Sequence, residues 1–150
     1  MRTFTDIAEL EAAVGEELGT TEWMEITQER VNLFADATDD HQWIHVDPER
    51  AASGPFGGTI AHGLLTLSLL PHFMHQLYTV ENIAMAINYG YNKVRFITPV
   101  KVGAKVRARA EISKVDTLDG GVQATMTITV EIDGSEKPAA VAESIVRFLG

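Results

Sequence analysis

Two periodicities divide this chain. Up to about residue 77 apolar residues recur at helical intervals, and after residue 82 they alternate singly. Ile7, Leu10, Ala13 and Val14 follow Asp6 at helical spacing, and Asp6 with Glu9 three positions on forms a capping pair. A short helix is therefore predicted there, closed by Gly15 and Gly19. Trp23 to Ile26 predicts a brief strand. Thr27 then stands as the N-cap of a helix whose Val31, Phe34 and Ala35 share one face and which runs out near Thr38. Residues 39–59, DDHQWIHVDPERAASGPFGGT, hold no continuous period. Their one helical signal is Asp47 before Pro48, enough for a turn or two through Ala52. A loop this long inside a compact domain is usually functional or disordered. The interleaved Trp43, Ile44, Val46 and Phe56 favour a packed, functional loop.

The stretch from Ile60 to Leu77, IAHGLLTLSLLPHFMHQL, is apolar on nearly all sides and predicts a central helix surrounded by core. Pro71 cannot donate to the carbonyl of Leu67, so it should kink that helix or end its regular part. Beyond it, Ala104, Val106, Ala108, Ala110 and Ile112 alternate with Lys105, Arg107, Arg109 and Glu111, and Val122 to Ile132 repeats the pattern. Asp119-Gly120-Gly121 between the two runs predicts an antiparallel hairpin. Ile83 to Phe96 and Ala139 to Leu149 supply further strands, the last apolar on both faces. Helices first, then a run of long strands, argue an α+β fold with a single antiparallel sheet wrapped on the central helix.

Composition narrows the chemistry. The 150 residues suit one domain spanning 1–150, and the absence of cysteine excludes a disulfide framework, a thiolate nucleophile and Cys-ligated metal. The first ten residues lack the apolar core of a signal peptide, and the longest apolar-rich run, Ile60 to Leu70, is too short and too polar to span a bilayer. The expectation is a cytoplasmic protein with no membrane partner. A net charge of −9 argues against binding nucleic acid, whose phosphates require neutralising cations. The charge is uneven, however. Between Lys93 and Lys114 seven cations face one anion, a net +6 that leaves −15 for the rest of the chain. That segment reads either as a solvated strand face or as a place to hold an anion.

Two groups of residues could carry chemistry. Asp40 and His45 lie five apart in the irregular segment, where a carboxylate and an imidazole can share a water and move its proton; the plain alternative is a pair of solvated or capping groups. Ala61-His62-Gly63 opens the apolar helix, whose first N–H groups lack internal partners. A glycine there lets a ligand approach the backbone, so a buried helix start can hold an oxyanion. The plain alternative for Gly63 is close packing of the helix against the sheet. The spacings His41/His45 and His72/His75 suggest metal ligands only weakly, because the first pair is in a loop and the second has no adjacent carboxylate. No metal is expected, and neither a nucleophile-elbow serine nor a phosphate loop is present.

The segment FADATDDHQWIHVDPERAASGPFGGTIAHGLLTLSLLP resembles the signature of the MaoC-like dehydratases, the single-hot-dog group that includes (R)-specific enoyl-CoA hydratases. NYGYNKVRFITPVKVG resembles the strand and turn that follow the central helix in that family, and together the matches cover most of residues 27 to 109. The resemblance implies the hot-dog fold, a sheet curled around one long helix. It implies that Asp40 and His45 are the catalytic pair that activates a water, with Gly63 as backbone donor to the thioester carbonyl. The implied reaction is reversible addition of water to a trans-2-enoyl-CoA, giving a (R)-3-hydroxyacyl-CoA, with no cofactor and in a homodimer. On that footing Ile60, Ala61, His62 and Gly63 from the helix start, and Ala86, Ile87, Asn88 and Tyr89 from the adjoining strand, are expected to line the acyl-thioester path. Lys93, Arg95 and the turn at Lys101 are expected to attract the CoA phosphates. Many relatives have Gly-Asp where this chain has Asp39-Asp40, and Asn-Pro where it has Gln42-Trp43, so a residue poorly suited to positive φ stands beside the catalytic carboxylate. A hot-dog thioesterase and a silent acyl-thioester-binding subunit are the competing readings.

Overall fold

In chain order the computed structural model, which describes residues 1–150, contains β1 (Arg2–Phe4), α1 (Ile7–Ala12), β2 (Glu17–Thr20), β3 (Met24–Glu25), α2 (Gln28–Thr38), α3 (Trp43–Val46), α4 (Pro48–Ala52), α5 (Gly63–Ser68), α6 (Leu70–Leu77), β4 (Tyr78–Val80), β5 (Met85–Phe96), β6 (Lys105–Leu118), β7 (Gly121–Ile132) and β8 (Ala140–Leu149). The caps follow the sequence signals. Asp6 accepts from the Glu9 N–H at 2.8 Å, Thr27 from Arg30 at 3.2 Å and Asp47 from Arg50 at 3.1 Å.

β6 and β7 form the expected hairpin, and the antiparallel sheet runs β2-β6-β7-β8-β5 with β3 also paired to β6. The period-two pattern turns Val106, Ala108, Ala110 and Ile112 of β6 and Val122, Ala124, Met126, Ile128 and Val130 of β7 into one buried face. Against it pack Leu65 of α5, Leu70, Phe73, Met74 and Leu77 of α6, and Leu69 between the two helices. No helix is long and apolar enough to cross a membrane.

Two sequence expectations need correcting. The sheet is not alone: β1 and β4 pair in parallel, because the chain leaving α6 runs alongside the N-terminus. The central helix is not enclosed on every side. Leu64, Ser68, His72 and His75 form an exposed stripe at helical spacing, since one sheet covers only one side of a helix. The His72/His75 pair thus faces solvent. As Pro71 predicts, the regular part of that helix is also interrupted, at Leu69 (φ −82°, ψ −9°), two residues before the proline, although Leu69 N–H still reaches Leu65 O at 3.1 Å and Phe73 N–H reaches Leu69 O at 3.2 Å.

The segment before α5 is fixed by both ends of the fold. Ile60 N–H donates to Ile44 O and Ala61 N–H to Val100 O, and Ile60 bridges to Lys101. At its far end α2 stops at Asp39, which adopts left-handed φ 58° and ψ 24°. Asp39 carries the side-chain cost of that conformation where glycine would not. The expected outcome is that Asp39→Gly is more stable than Asp39→Ala by about 1 kcal/mol, seen in thermal melts as a gap of about 2–4 °C. Equal midpoints would show that the left-handed turn is unstrained.

Candidate active site

Left-handed Asp39 turns the chain sharply out of α2 and delivers Asp40 to the mouth of the fold, where it is 53% exposed at its side chain. α3 carries His45 back inward, and the ring is buried. His45 Nδ1 lies 2.7 Å from the carbonyl of Ile60. A carbonyl only accepts, so Nδ1 carries the proton, and Nε2 presents a lone pair when the ring is neutral. His45 is braced from behind as well: its carbonyl accepts from Gln28 Nε2 at 2.8 Å, and Gln28 Oε1 accepts from the buried Thr59 hydroxyl at 2.7 Å.

His62 stands between the two. Its ring stacks on that of His45 with centroids 3.8 Å apart, and it meets Phe34 of α2 at 4.9 Å on a tilted contact. Its Nε2 lies 2.9 Å from the backbone carbonyl of Asp40 and 4.0 Å from that residue's carboxylate. By the same reasoning Nε2 is the protonated nitrogen. Nδ1 is then left buried with no hydrogen-bond partner, a situation that costs about 1–3 kcal/mol. Asp40, His45 and His62 each offer a polar atom within 4.8 Å of the others. Such a set has the composition of a metal site; with one nitrogen of each ring committed to a carbonyl, the donors it would offer a cation are His45 Nε2, the enclosed His62 Nδ1 and the Asp40 carboxylate.

Gly63 is the first residue of α5 and, with His45, Ile60, Ala61 and Thr66, lines a cavity of about 310 Å³ closed on the sheet side by Phe96, Ile97 and Val100. A Cβ on Gly63 would lie 3.0 Å from the Phe96 ring. The Phe96 ring therefore packs directly on the helix start, and a side chain at position 63 would make that ring shift.

The strand residues fall elsewhere than expected. Ala86 and Asn88 line a second cavity of about 380 Å³ with Leu70 and Met74 of α6, Tyr91, and Ser144 of β8. Burial pushes the phenol of Tyr78, in the same wall, up to about 12. β5 runs so that its last residue, Phe96, meets the start of α5 while its first residues meet α6, so Ala86 to Tyr89 do not flank Gly63. Ile87 and Tyr89 belong to the outer face, where Arg147 lies 3.5 Å over the Tyr89 ring. Irregular register between Asn88 and Gly90 and between Tyr91 and Lys93 breaks the simple alternation that a reading of β5 relies on. Lys93 and Arg95 are exposed and line a depression of about 250 Å³ whose Ile97 also belongs to the Gly63 cavity. Of the other cations in the basic segment, Arg107 and Arg109 pair with Glu131, and Lys114 pairs with Asp116.

The sequence marks His62 only as a lining residue and gives no sign of the Gln28–Thr59 brace. One signal was available for His62, a polar residue at a helix start that has none of the usual capping side chains. Thr59→Val keeps the shape and leaves Gln28 Oε1 without its donor. It is expected to lower the unfolding free energy by about 1 kcal/mol in urea titrations, with Thr59→Ser losing less; an unchanged midpoint in Thr59→Val would remove the brace from the account.

A family model described as "MaoC like domain" matches residues 9–134. The chain is 63% identical over 150 residues to 3-hydroxyacyl-thioester dehydratase Z of Mycobacterium tuberculosis (strain H37Rv), covering 99% of each. Among solved structures, the (R)-hydratase from A. caviae involved in PHA biosynthesis is 27% identical with a TM-score of 0.73, covering 89% of this chain and 94% of that one. An R-hydratase from Pseudomonas aeruginosa, 23% identical, shares the fold with a TM-score of 0.74 over 97% of this chain and 86% of that one.

Proposed function

The chain belongs to the MaoC-like domain family, and on that premise we propose that it is a 3-hydroxyacyl-thioester dehydratase, a hydro-lyase acting reversibly on trans-2-enoyl-CoA and (R)-3-hydroxyacyl-CoA. The name of the 63% identical relative supports the reaction class, and the (R)-hydratase at 27% identity supports the stereochemistry. The observation that carries the reading is the gap of at most 4.8 Å between an Asp40 carboxylate oxygen and an imidazole nitrogen of His45. One water making two hydrogen bonds of about 2.8 Å spans such a gap.

In hydration that water attacks C3 of the enoyl thioester. Its proton passes to Asp40 while the neutral His45, with Nδ1–H tied to Ile60 O, holds the water through the Nε2 lone pair. A C–O bond forms at C3, the C2=C3 π pair shifts toward the carbonyl, and the oxygen takes on enolate charge. The Gly63 N–H at the start of α5 is the donor assigned to that oxygen. The proton taken from water is delivered to C2, directly from Asp40 or by relay through His45, and the enzyme returns to its starting state. Ile60 and Ala61 form the wall beside this centre. Lys93 and Arg95, free of ion pairs beside Ile97, are the cations proposed to attract the CoA phosphates.

We further read residues 1–150 as one catalytic domain that works as a homodimer paired along β5. That strand is a twelve-residue edge bonded only to β8, and it exposes Met85, Ile87 and Tyr89. A long edge that exposes apolar side chains over its first half is a liability unless another strand covers it.

Asp40→Asn and His45→Gln are each expected to keep the fold and lower crotonyl-CoA hydration by about 10²–10⁴-fold. The assay follows absorbance with free thiol and product chirality measured together. Near-normal turnover in either variant rejects the pair, and thiol release by the unaltered protein would make it a thioesterase. Replacing Lys93 and Arg95 together with Gln should raise KM for crotonyl-CoA more than for the crotonyl-pantetheine thioester; equal effects reject phosphate recognition.

A further inference from the structure

The Asp40 carboxylate is half-exposed, and no protein group hydrogen-bonds it. What the protein fixes is therefore the backbone from which that carboxylate projects. On one side that backbone is fixed by the left-handed turn at Asp39. On the other, the single side chain that grips the Asp40 peptide is His62, through Nε2–H to the carbonyl at 2.9 Å. The same ring lies flat on His45 at 3.8 Å, while Phe34, from the helix that ends at Asp39, backs it. We propose that His62 is a positioning residue, which holds the Asp40 carboxylate and the His45 ring at the spacing one water bridges; this rests on the reading of Asp40 and His45 as the reacting pair.

Two observations separate this role from simple filling of space. His62 makes no capping hydrogen bond to its own helix, so helix initiation does not require it. Its Nδ1 is buried and unpartnered, so an apolar residue of the same size would fill the slot between Phe34 and His45 without stranding a nitrogen. What a histidine supplies there, and an apolar residue does not, is the N–H to the Asp40 carbonyl. Errors of about 1 Å in the placement of reacting groups cost about a hundredfold in rate, which makes that hydrogen bond consequential for turnover and not for substrate affinity.

The test uses the full-length protein and crotonyl-CoA, with four variants measured together. His62→Phe keeps the stack and removes the donor; it should lower kcat by about ten- to a hundredfold with KM within about twofold. His62→Gln and His62→Met have similar length and differ in the amide donor, so Gln should turn over at least about tenfold faster than Met at similar KM. This pair decides the matter even where the Phe variant does not fold. Asp40→Asn is the control. If it is inactive while His62→Phe keeps full kcat, or while Gln and Met have equal kcat, the positioning role is overturned and the reacting pair stands. If Asp40→Asn keeps full turnover, the reading of the reaction fails and this inference fails with it.

Discussion

The inner face of β6, β7 and β8 and the inner face of α5 and α6 bury one another, and the rest of the molecule is arranged around that contact. Met126 and Ile128 on the sheet and Phe73 on the helix are essentially inaccessible to water. Removing such side chains from water contributes about 1.5–3 kcal/mol each. A twisted antiparallel sheet covers only one side of the helix, so the helix keeps a solvated stripe and must enter the contact at one end of the sheet. The entry point is Gly63. Its lack of a side chain lets Phe96 close over the helix start, and the first turn of the helix becomes the floor of a cavity.

That entry also explains why the irregular segment before the helix is so heavily tied down. Ile44, Ile60, Ala61 and Val100 exchange backbone hydrogen bonds across the opening, and Gln28 reaches both His45 and Thr59. The chain accepts two local costs at this place, the left-handed Asp39 and the unpartnered nitrogen of His62. Both adjoin Asp40, and such departures from local comfort gather where a fold serves chemistry.

Where the physics is local, the sequence was readable. Capping residues marked the starts of α1, α2 and α4, and the two-residue period marked β6, β7 and their hairpin. Motif resemblance points to Asp40, His45 and Gly63, of which the structure brings His45 and Gly63 to one cavity and Asp40 close to His45, and a position that favours glycine is legible at Asp39. What escaped depends on partners distant in the chain. Arg2–Phe4 and Tyr78–Val80 are too short to show a period and exist as strands because they meet each other. Nothing local tells Ala86 from Phe96 as the neighbour of Gly63, since that follows from the direction of β5 relative to the helix and from its register irregularities. The stacking of His62 on His45 joins residues seventeen apart through a loop whose path no periodicity encodes.

The stacked histidines have one more consequence. Carbonyl oxygens fix their protons on opposite nitrogens, Nδ1 in His45 and Nε2 in His62. When both rings are neutral, two different tautomers therefore lie face to face, 3.8 Å apart. Nitrogen nuclei that bear a proton resonate far from those that carry a lone pair, so the two rings give distinguishable signatures in a nitrogen-15 spectrum. The site thereby contains its own reporter: a change of tautomer or charge at either ring is visible without any added label beyond the isotope.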